Sequence, residues 1–383
     1  MTLRIAWTWA LLLIAAFCMS GCCHSHRATT RPSDEAIKDY IVGPEDYQQA
    51  VYTQASTRTA ATPHRILVLS GGGSNGAWGA GFLKGWGEAG TRPQFDIVTG
   101  VSTGALMSTA AFLGDAELLD IYTHISNQDI QSPHNKLFAI LFSNALNSTA
   151  PLKASLKKYV TNEKIDRIAN DADRRKLFVA SVNLDSGKLV IWDLTAIAKA
   201  ARAETHEPEK SQKYDFFREV MRASAAAPAL YPPVNLNGSL HCDGGVRASL
   251  FIDKYFVPAI KGGSQGGQGD LYAINNGKIG MADQVTQDCI VPIGSRAVAC
   301  LLNQNGVDSV LRARLAAHDA KYNFHLSYIP DDVDELPSFE FDSKEMTRLF
   351  EAGEARGKQE AGRWADEDIN PKLQRVFQQK QSK

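Results

Sequence analysis

Two glycine-rich turns near the start of the sequence carry complementary chemistry. Ser70-Gly71-Gly72-Gly73-Ser74-Asn75-Gly76 follows the apolar run Arg65-Ile66-Leu67-Val68-Leu69, and Gly100-Val101-Ser102-Thr103-Gly104 follows Phe95-Asp96-Ile97-Val98-Thr99. A serine flanked by glycines at a strand-to-helix turn can be held on a strained backbone with its hydroxyl presented to a substrate. A glycine run ahead of a helix offers backbone N–H groups that can hold a developing negative charge. One turn supplies a nucleophile and the other an oxyanion hole, a combination that suits acyl transfer.

A serine nucleophile needs a base. Among nine histidines, His318 and His325 lie late in the chain, where an α/β-hydrolase places its imidazole, but neither has a distinguishing signature. His241 lies two residues before Asp243, so on a strand the two share a face. Asp243-Gly244-Gly245 is the stronger source of a base. The glycines let the carboxylate reach a shared cleft, and partial burial raises its proton affinity. A nucleotide reading competes, because Gly71-x-Gly73-x-x-Gly76 fits a dinucleotide fingerprint with Asp96 about 20 residues on. Asp96, however, sits inside the strand that feeds the serine turn, and the Gly-Lys-Ser/Thr of a P-loop is missing. A third reading keeps the fold as a binding module without catalysis.

The elements that must position these groups alternate. Strand 66–69, the glycine turn and a small-residue helix over 77–88 form one unit; Ala77, Gly79, Ala80, Gly81 and Gly85 would let that helix lie close on a sheet. Strand 95–99, the serine turn and helix 103–113 form the next. Residues 177–182 and 188–192 read as strands joined by Asp185-Ser186-Gly187, and a helix over 214–226 is followed by a strand near 239–242. Residues 262–269 read as a flexible loop, while 305–322 and 343–378 read as amphipathic helices, with Met346, Leu349, Phe350 and Ala352 on one side of the second. Strands alternating with helices predict a layered α/β domain.

The order Gly-Gly-Gly-x-x-Gly, Gly-x-Ser-x-Gly, Asp-Gly-Gly resembles the patatin-like phospholipase family. Arg222-Ala223-Ser224-Ala225-Ala226-Ala227-Pro228 through Tyr231-Pro232-Pro233 is similar to the family's Ala-Ser-x-Ala-x-Pro…Phe-x-Pro stretch. The likeness spans roughly residues 64–250. It implies a three-layer α/β/α sandwich with a mostly parallel central sheet and a lipid acyl hydrolase working through a Ser–Asp dyad without histidine. It further implies Ser102 as nucleophile, Asp243 as base, and the backbone of Gly71, Gly72, Gly73 and Gly76 as oxyanion hole, with no metal or other cofactor. The family's glycine motif usually has Arg or Lys before its last glycine, where this chain has Asn75. That departure shifts the expected substrate toward neutral esters or glycerolipids.

The chain has 383 residues, is 44% hydrophobic and carries a net charge of −1, so nothing in its overall charge points to nucleic acid. Arg4 precedes an apolar stretch, Ile5 to Phe17, that runs to Met19-Ser20-Gly21-Cys22, the pattern of a secretory signal. About 13 residues are too few to span a bilayer comfortably. Cys22 after Ser-Gly resembles a bacterial lipoprotein lipobox, which implies lipidation at Cys22 and, with Cys23 following, an outer-membrane address. The expected organisation is a signal peptide over 1–21, a flexible tether over 22–62 with a short helix near Pro44-Glu45-Asp46-Tyr47, and an acyl hydrolase domain over 63–378. The partners would be an acyl ester substrate and the membrane reached through the anchor; the oligomeric state is open. Cys289 and Cys300 fit either a disulfide closing a short loop or two buried thiols. No clustered His/Cys spacing suggests zinc.

Overall fold

The computed structural model describes residues 34–42, 64–130, 132–133, 145–252, 269–281, 283–359 and 364. The strands are β1 (Arg65–Leu69), β2 (Ile97–Val101), β3 (Ser132–Pro133), β4 (Asn147–Ser148), β5 (Lys176–Asn183), β6 (Lys188–Asp193), β7 (Val234–Leu236), β8 (Ser239–Asp243), β9 (Asp270–Asn275) and β10 (Asn323–Tyr328). The helices are α1 (Gly76–Glu88), α2 (Thr103–Leu113), α3 (Ala116–Asp120), α4 (Asn127–Ile130), α5 (Ala150–Tyr159), α6 (Asn162–Asp171), α7 (Leu194–Ala203), α8 (Glu209–Ser224), α9 (Ile290–Ala320) and α10 (Ser343–Gln359). No helix among the described residues is long and apolar enough to cross a membrane.

Eight strands form one sheet in the order β10-β9-β1-β2-β5-β8-β7, with β6 on the other edge of β5; β3 and β4 form a separate ribbon. The stretch β10-β9-β1-β2-β5 is parallel, whereas β6, β7 and β8 add antiparallel pairs. Successive side chains on a strand face opposite ways, and both faces here are buried, so the central strands β1, β2 and β5 are mostly apolar on both sides. Leu67, Leu69, Val98, Leu177 and Val179 join one core with Trp78, Phe82, Phe112 and Phe217. Ile66, Val68, Ile97, Phe178 and Ala180 join another with Val310, Ala313 and Ala317 of α9. The result is the three-layer α/β/α sandwich.

The small residues of α1 serve a neighbour as well as the sheet. A methyl added to Gly81 or Gly85 would overlap the carbonyl oxygens of Phe350 and Glu354 on α10, and one added to Gly353 or Gly357 would overlap those of Trp78 and Phe82 on α1. The two backbones therefore touch along a reciprocal glycine seam. It ties the C-terminal α10 to the helix that leaves the glycine turn.

Several elements depart from their expected extent. The helix expected over 305–322 starts at Ile290, fifteen residues earlier, and β9 and β10, read as no element in the sequence, complete one side of the sheet. The helix expected over 343–378 is seen over Ser343–Gln359, and most of the rest lies outside the described residues, as do most of the glycine-rich 262–269 loop, the 44–47 helix, and the signal and lipidation site at residues 1–22. Within the stretch expected as a tether, Asp34–Tyr40 form a 3-10 helix, Ile37 is buried in the core, and Val42 N–H donates to the Ile191 carbonyl at 2.9 Å. Cys289 and Cys300 are neither bridged nor buried: both are free and exposed, at the start of α9 and within it. Eleven residues of continuous helix hold them about 16 Å apart, beyond the reach of a disulfide.

Candidate active site

Strand β5 acts as the ruler that brings the serine and the aspartate together. Its first half pairs with β2, ending at Val101 opposite Ala180; its second half pairs with β8, starting with Asp243 opposite Ser181. β6 covers the other edge from Phe178 to Asn183, so β2 and β8 meet end to end along a single edge. Ser102 emerges where β2 stops, and Asp243 is the last residue of β8 arriving from the opposite direction. Residues about 140 positions apart in sequence thus become neighbours through ladder register.

Ser102 sits at φ 54° and ψ −124°, in left-handed territory uncommon for a residue with a Cβ. Glycines on both sides permit this turn: a methyl at Gly104 would overlap the Leu69 and Ser70 carbonyls, and one at Gly100 would overlap the Gly104 backbone. The Ser102 N–H donates to Ser224 Oγ at 3.1 Å, and that hydroxyl donates to the Ala180 carbonyl at 2.6 Å. Asp243 N–H donates to the Ala226 carbonyl at 2.9 Å. The 224–226 turn therefore fastens both the serine elbow and the aspartate strand, a physical reason for the Arg222–Pro228 stretch.

The Asp243 carboxylate is buried, accepts a hydrogen bond from the Gly245 N–H at 2.7 Å, and has the Ser102 side chain beside it. Loss of water pushes its pKa up from 3.8 to about 6, against the Gly245 N–H and the neighbouring Ser102 side chain, which pull it down. A carboxylate so placed takes a proton from a neighbouring hydroxyl more readily than a solvated one.

The four glycines expected as an oxyanion hole divide into two pairs. Gly71 N–H donates to the Ser249 carbonyl at 3.0 Å, and Gly76 N–H turns inward to the Gly73 and Ser74 carbonyls. Their amides are engaged, which corrects the reading that all four are open donors. Gly71 instead lets the turn press against Ser102: an added methyl carbon would lie 3.2 Å from Ser102 Cβ. Gly72 and Gly73, at φ 154° and 60°, donate to no acceptor among the described residues. The turn is clamped from both sides. Asn276 N–H donates to Ser70 Oγ at 2.7 Å and its Nδ2 to the Ser70 carbonyl at 2.8 Å. Across the turn, buried Asn75 exchanges two hydrogen bonds with the Leu336 backbone, at 2.9 and 2.8 Å, and Ser74 N–H donates to the Ser338 carbonyl at 3.0 Å. Where the resembled motif has a cation, this chain has an amide that straps the 331–342 segment over the glycine turn.

The histidines go elsewhere. His241 is buried with Nδ1 2.9 Å from Ser181 Oγ and its ring against Trp192, a wall position. His325 pairs with Asp270 at 2.9 Å and stacks on Tyr272 in the lower half of the sheet, while His318 is exposed near the end of α9. Asp96, needed by the nucleotide reading, is buried at the N-terminal end of β2 and accepts from Arg65 N–H, at the opposite strand ends from the glycine turn. Sequence reasoning passed over Tyr231 except as part of a motif. Its Oη is buried with no hydrogen-bond partner among the described residues, its proton is held up to about 12 by burial and the nearby Asp243 charge, and its ring meets Phe339 of the strap at 6.3 Å. The signal was its place in the motif, where Tyr replaces Phe. Among the described residues no cluster of three or more His, Cys, Asp or Glu could hold a metal.

The family model described as patatin-like phospholipase matches residues 67–254, from β1 through the Asp243 turn. The chain carries a patatin-like phospholipase domain. The patatin-like sheet continues past the matched segment into β9 and β10, and α10 packs on its first helix. Among solved structures, VipD from Legionella pneumophila aligns at 12% identity over 78% of this chain and 67% of its own, with a TM-score of 0.35. No curated protein matches the sequence.

Proposed function

We propose that this protein hydrolyses carboxylic esters of lipids, with Ser102 as nucleophile and Asp243 as general base. The reading is carried by one arrangement: strand register sets Ser102, at the end of β2, beside the buried Asp243 carboxylate, whose pKa burial raises to about 6. Ser102 Oγ attacks the ester carbonyl carbon as its proton passes to Asp243. The carbonyl oxygen becomes an alkoxide held by the free Gly72 and Gly73 N–H groups and the start of α2. Collapse breaks the carbon–oxygen bond to the alcohol, which leaves with the proton from Asp243. Water then adds to the acyl-enzyme, giving its proton to Asp243; the fatty acid departs and Ser102 recovers its proton. Nothing in this cycle calls for a histidine.

The Asn75 amide is occupied in the strap, and no cation stands in its place. Neutral esters and glycerolipids therefore fit the glycine turn as well as anionic phospholipids. We further propose that residues 63–378 act as the hydrolase domain and that residues 1–21 direct export. Cys22 would carry the lipid anchor on the outer membrane, with residues 22–62 leading from anchor to domain. The test is turnover of p-nitrophenyl esters, glycerides and phospholipids by purified protein beside Ser102→Ala. Wild-type turnover lost in the variant supports the reading; equal turnover by both ends it.

A further inference from the structure

The first half of α9 is built the wrong way round for water. Of the nine large hydrophobic side chains exposed among the described residues, six fall between 285 and 302: Val285, Ile290, Ile293, Val298, Leu301 and Leu302. Their exposure is high, 95% for Val285, 88% for Ile290 and 71% for Leu301. Over residues 290–302 the only charged side chain is Arg296. At 3.6 residues per turn, the exposed apolar side chains of this half-helix span an arc of about 180°, and Arg296 and Asn303 fall on the opposite side. That polar side turns toward the body: Asn303 Nδ2 donates to the Gly280 carbonyl at 3.2 Å, and Arg296 donates to Gln284 Oε1 at 3.1 Å. A surface helix normally buries its apolar stripe and wets its polar one. The second half of α9 does so, with Val310, Ala313 and Ala317 in the core. The first half inverts the pattern.

Position gives the inversion a use. Asn305, where the helix meets the body, donates from Nδ2 to the Gly245 carbonyl at 2.8 Å, and its Oδ1 accepts from Ser249 N–H at 3.3 Å. Gly245 is the residue whose N–H holds the Asp243 carboxylate. Val246, next in the chain, is itself half exposed, so an apolar surface extends to the rim of the dyad. From Asn305 the helix runs about 22 Å outward to Ile290 at 1.5 Å per residue. The apolar part, about 20 Å long, is shorter than a hydrocarbon core of about 30 Å. It is suited to lie within an interface and not to cross it.

We propose that residues 285–302, with Val246, form a docking surface for a lipid bilayer, inserting beside the dyad so that an ester enters directly from the membrane. The occupant follows from chemistry: half a helix of outward aliphatic side chains with no charge among them, and continuity with a site that, on the reading above, takes lipid esters. This inference rests on that reading for its purpose but makes a claim of its own about binding.

The test compares the full chain with its Ile293→Glu/Leu301→Glu variant, both carrying Cys22→Ser so that no acyl anchor contributes. Both altered positions are exposed and make no contact with the dyad, so turnover of monomeric p-nitrophenyl butyrate should stay within twofold. Binding to phosphatidylethanolamine/phosphatidylglycerol vesicles in flotation should fall at least tenfold, and hydrolysis of vesicle lipid should fall in parallel. Unchanged flotation overturns the proposal. So does a concentration-dependent wild-type dimer that the variant abolishes while vesicle binding persists, since the surface would then serve a second copy. If neither protein cleaves any ester, the functional reading fails, and flotation alone still decides whether this surface binds lipid.

Discussion

Replacing Asp243 by asparagine should separate what the buried carboxylate does for activity from what it does to stability. In the unfolded chain this group gives up its proton near 3.8, and in the fold near 6. Between those values the folded protein holds the extra proton, so stability falls as pH rises; the advantage is complete below 3.8 and gone above 6. A gap of about two pH units at about 1.36 kcal/mol each makes the total loss about 3 kcal/mol, of which about 2 kcal/mol falls between pH 4.5 and 7.5. Asparagine cannot ionise and escapes that loss while keeping an acceptor for the Ser102 hydroxyl and Gly245 N–H. Urea unfolding of both proteins at the two pH values therefore gives a difference of differences of about 2 kcal/mol in favour of the variant at high pH. Constant offsets, such as the placing of the new amide N–H groups, cancel in that comparison. Activity should move the other way, by several powers of ten. Wild-type kcat/KM should rise with pH to a plateau, with a midpoint near 6. A stability gap that does not change with pH would refute the reasoning, as would a variant that keeps its activity.

Other substitutions probe the supports. Ser102→Ala should fold normally, lose at least a thousandfold in kcat, and raise the Asp243 pKa further, because it removes a neighbouring hydroxyl that lowers it; carboxyl infrared titration reads that shift. Gly73→Ala would place a methyl on the Ser338 carbonyl at a φ of 60°, and thermal unfolding should show a loss of about 2–4 kcal/mol along with lost turnover. Asn75→Ala leaves the Leu336 N–H and carbonyl without partners and should cost about 2–3 kcal/mol in chemical denaturation. Tyr231→Phe removes a buried hydroxyl with no partner among the described residues, so the unfolding free energy from chemical denaturation should stay level or rise, by up to about 1–3 kcal/mol.

The parts of the site legible in the sequence were those set by local backbone demands. Gly100 and Gly104 around Ser102, the triple-glycine turn after an apolar run, and Asp243-Gly244-Gly245 announced themselves because each conformation or close approach excludes other residue types. What escaped the reading depends on residues far apart. Nothing near Gly71 says that its amide will be taken by Ser249, and nothing near Asn75 says that its side chain will meet Leu336. In the sequence Gly81 and Gly85 suggest only contact with the sheet, because their partners Gly353 and Gly357 lie about 270 residues downstream. Strands β9 and β10 are six residues each and mix polar with apolar side chains, a pattern too short to declare itself. The pairing of β2 and β8 along one edge of β5, which brings Ser102 and Asp243 together, is a matter of register that no local motif encodes.

The central claim is that Asp243 activates Ser102 beneath the Gly72 and Gly73 amides. Mapping a fluorophosphonate adduct by mass spectrometry, with its rate of formation followed against pH, tests this most directly. The account predicts a single adduct on Ser102, forming with a midpoint near pH 6 and at least a thousandfold more slowly in Asp243→Asn. An adduct on another residue, or equal labelling of Ser102 in both proteins, would contradict it.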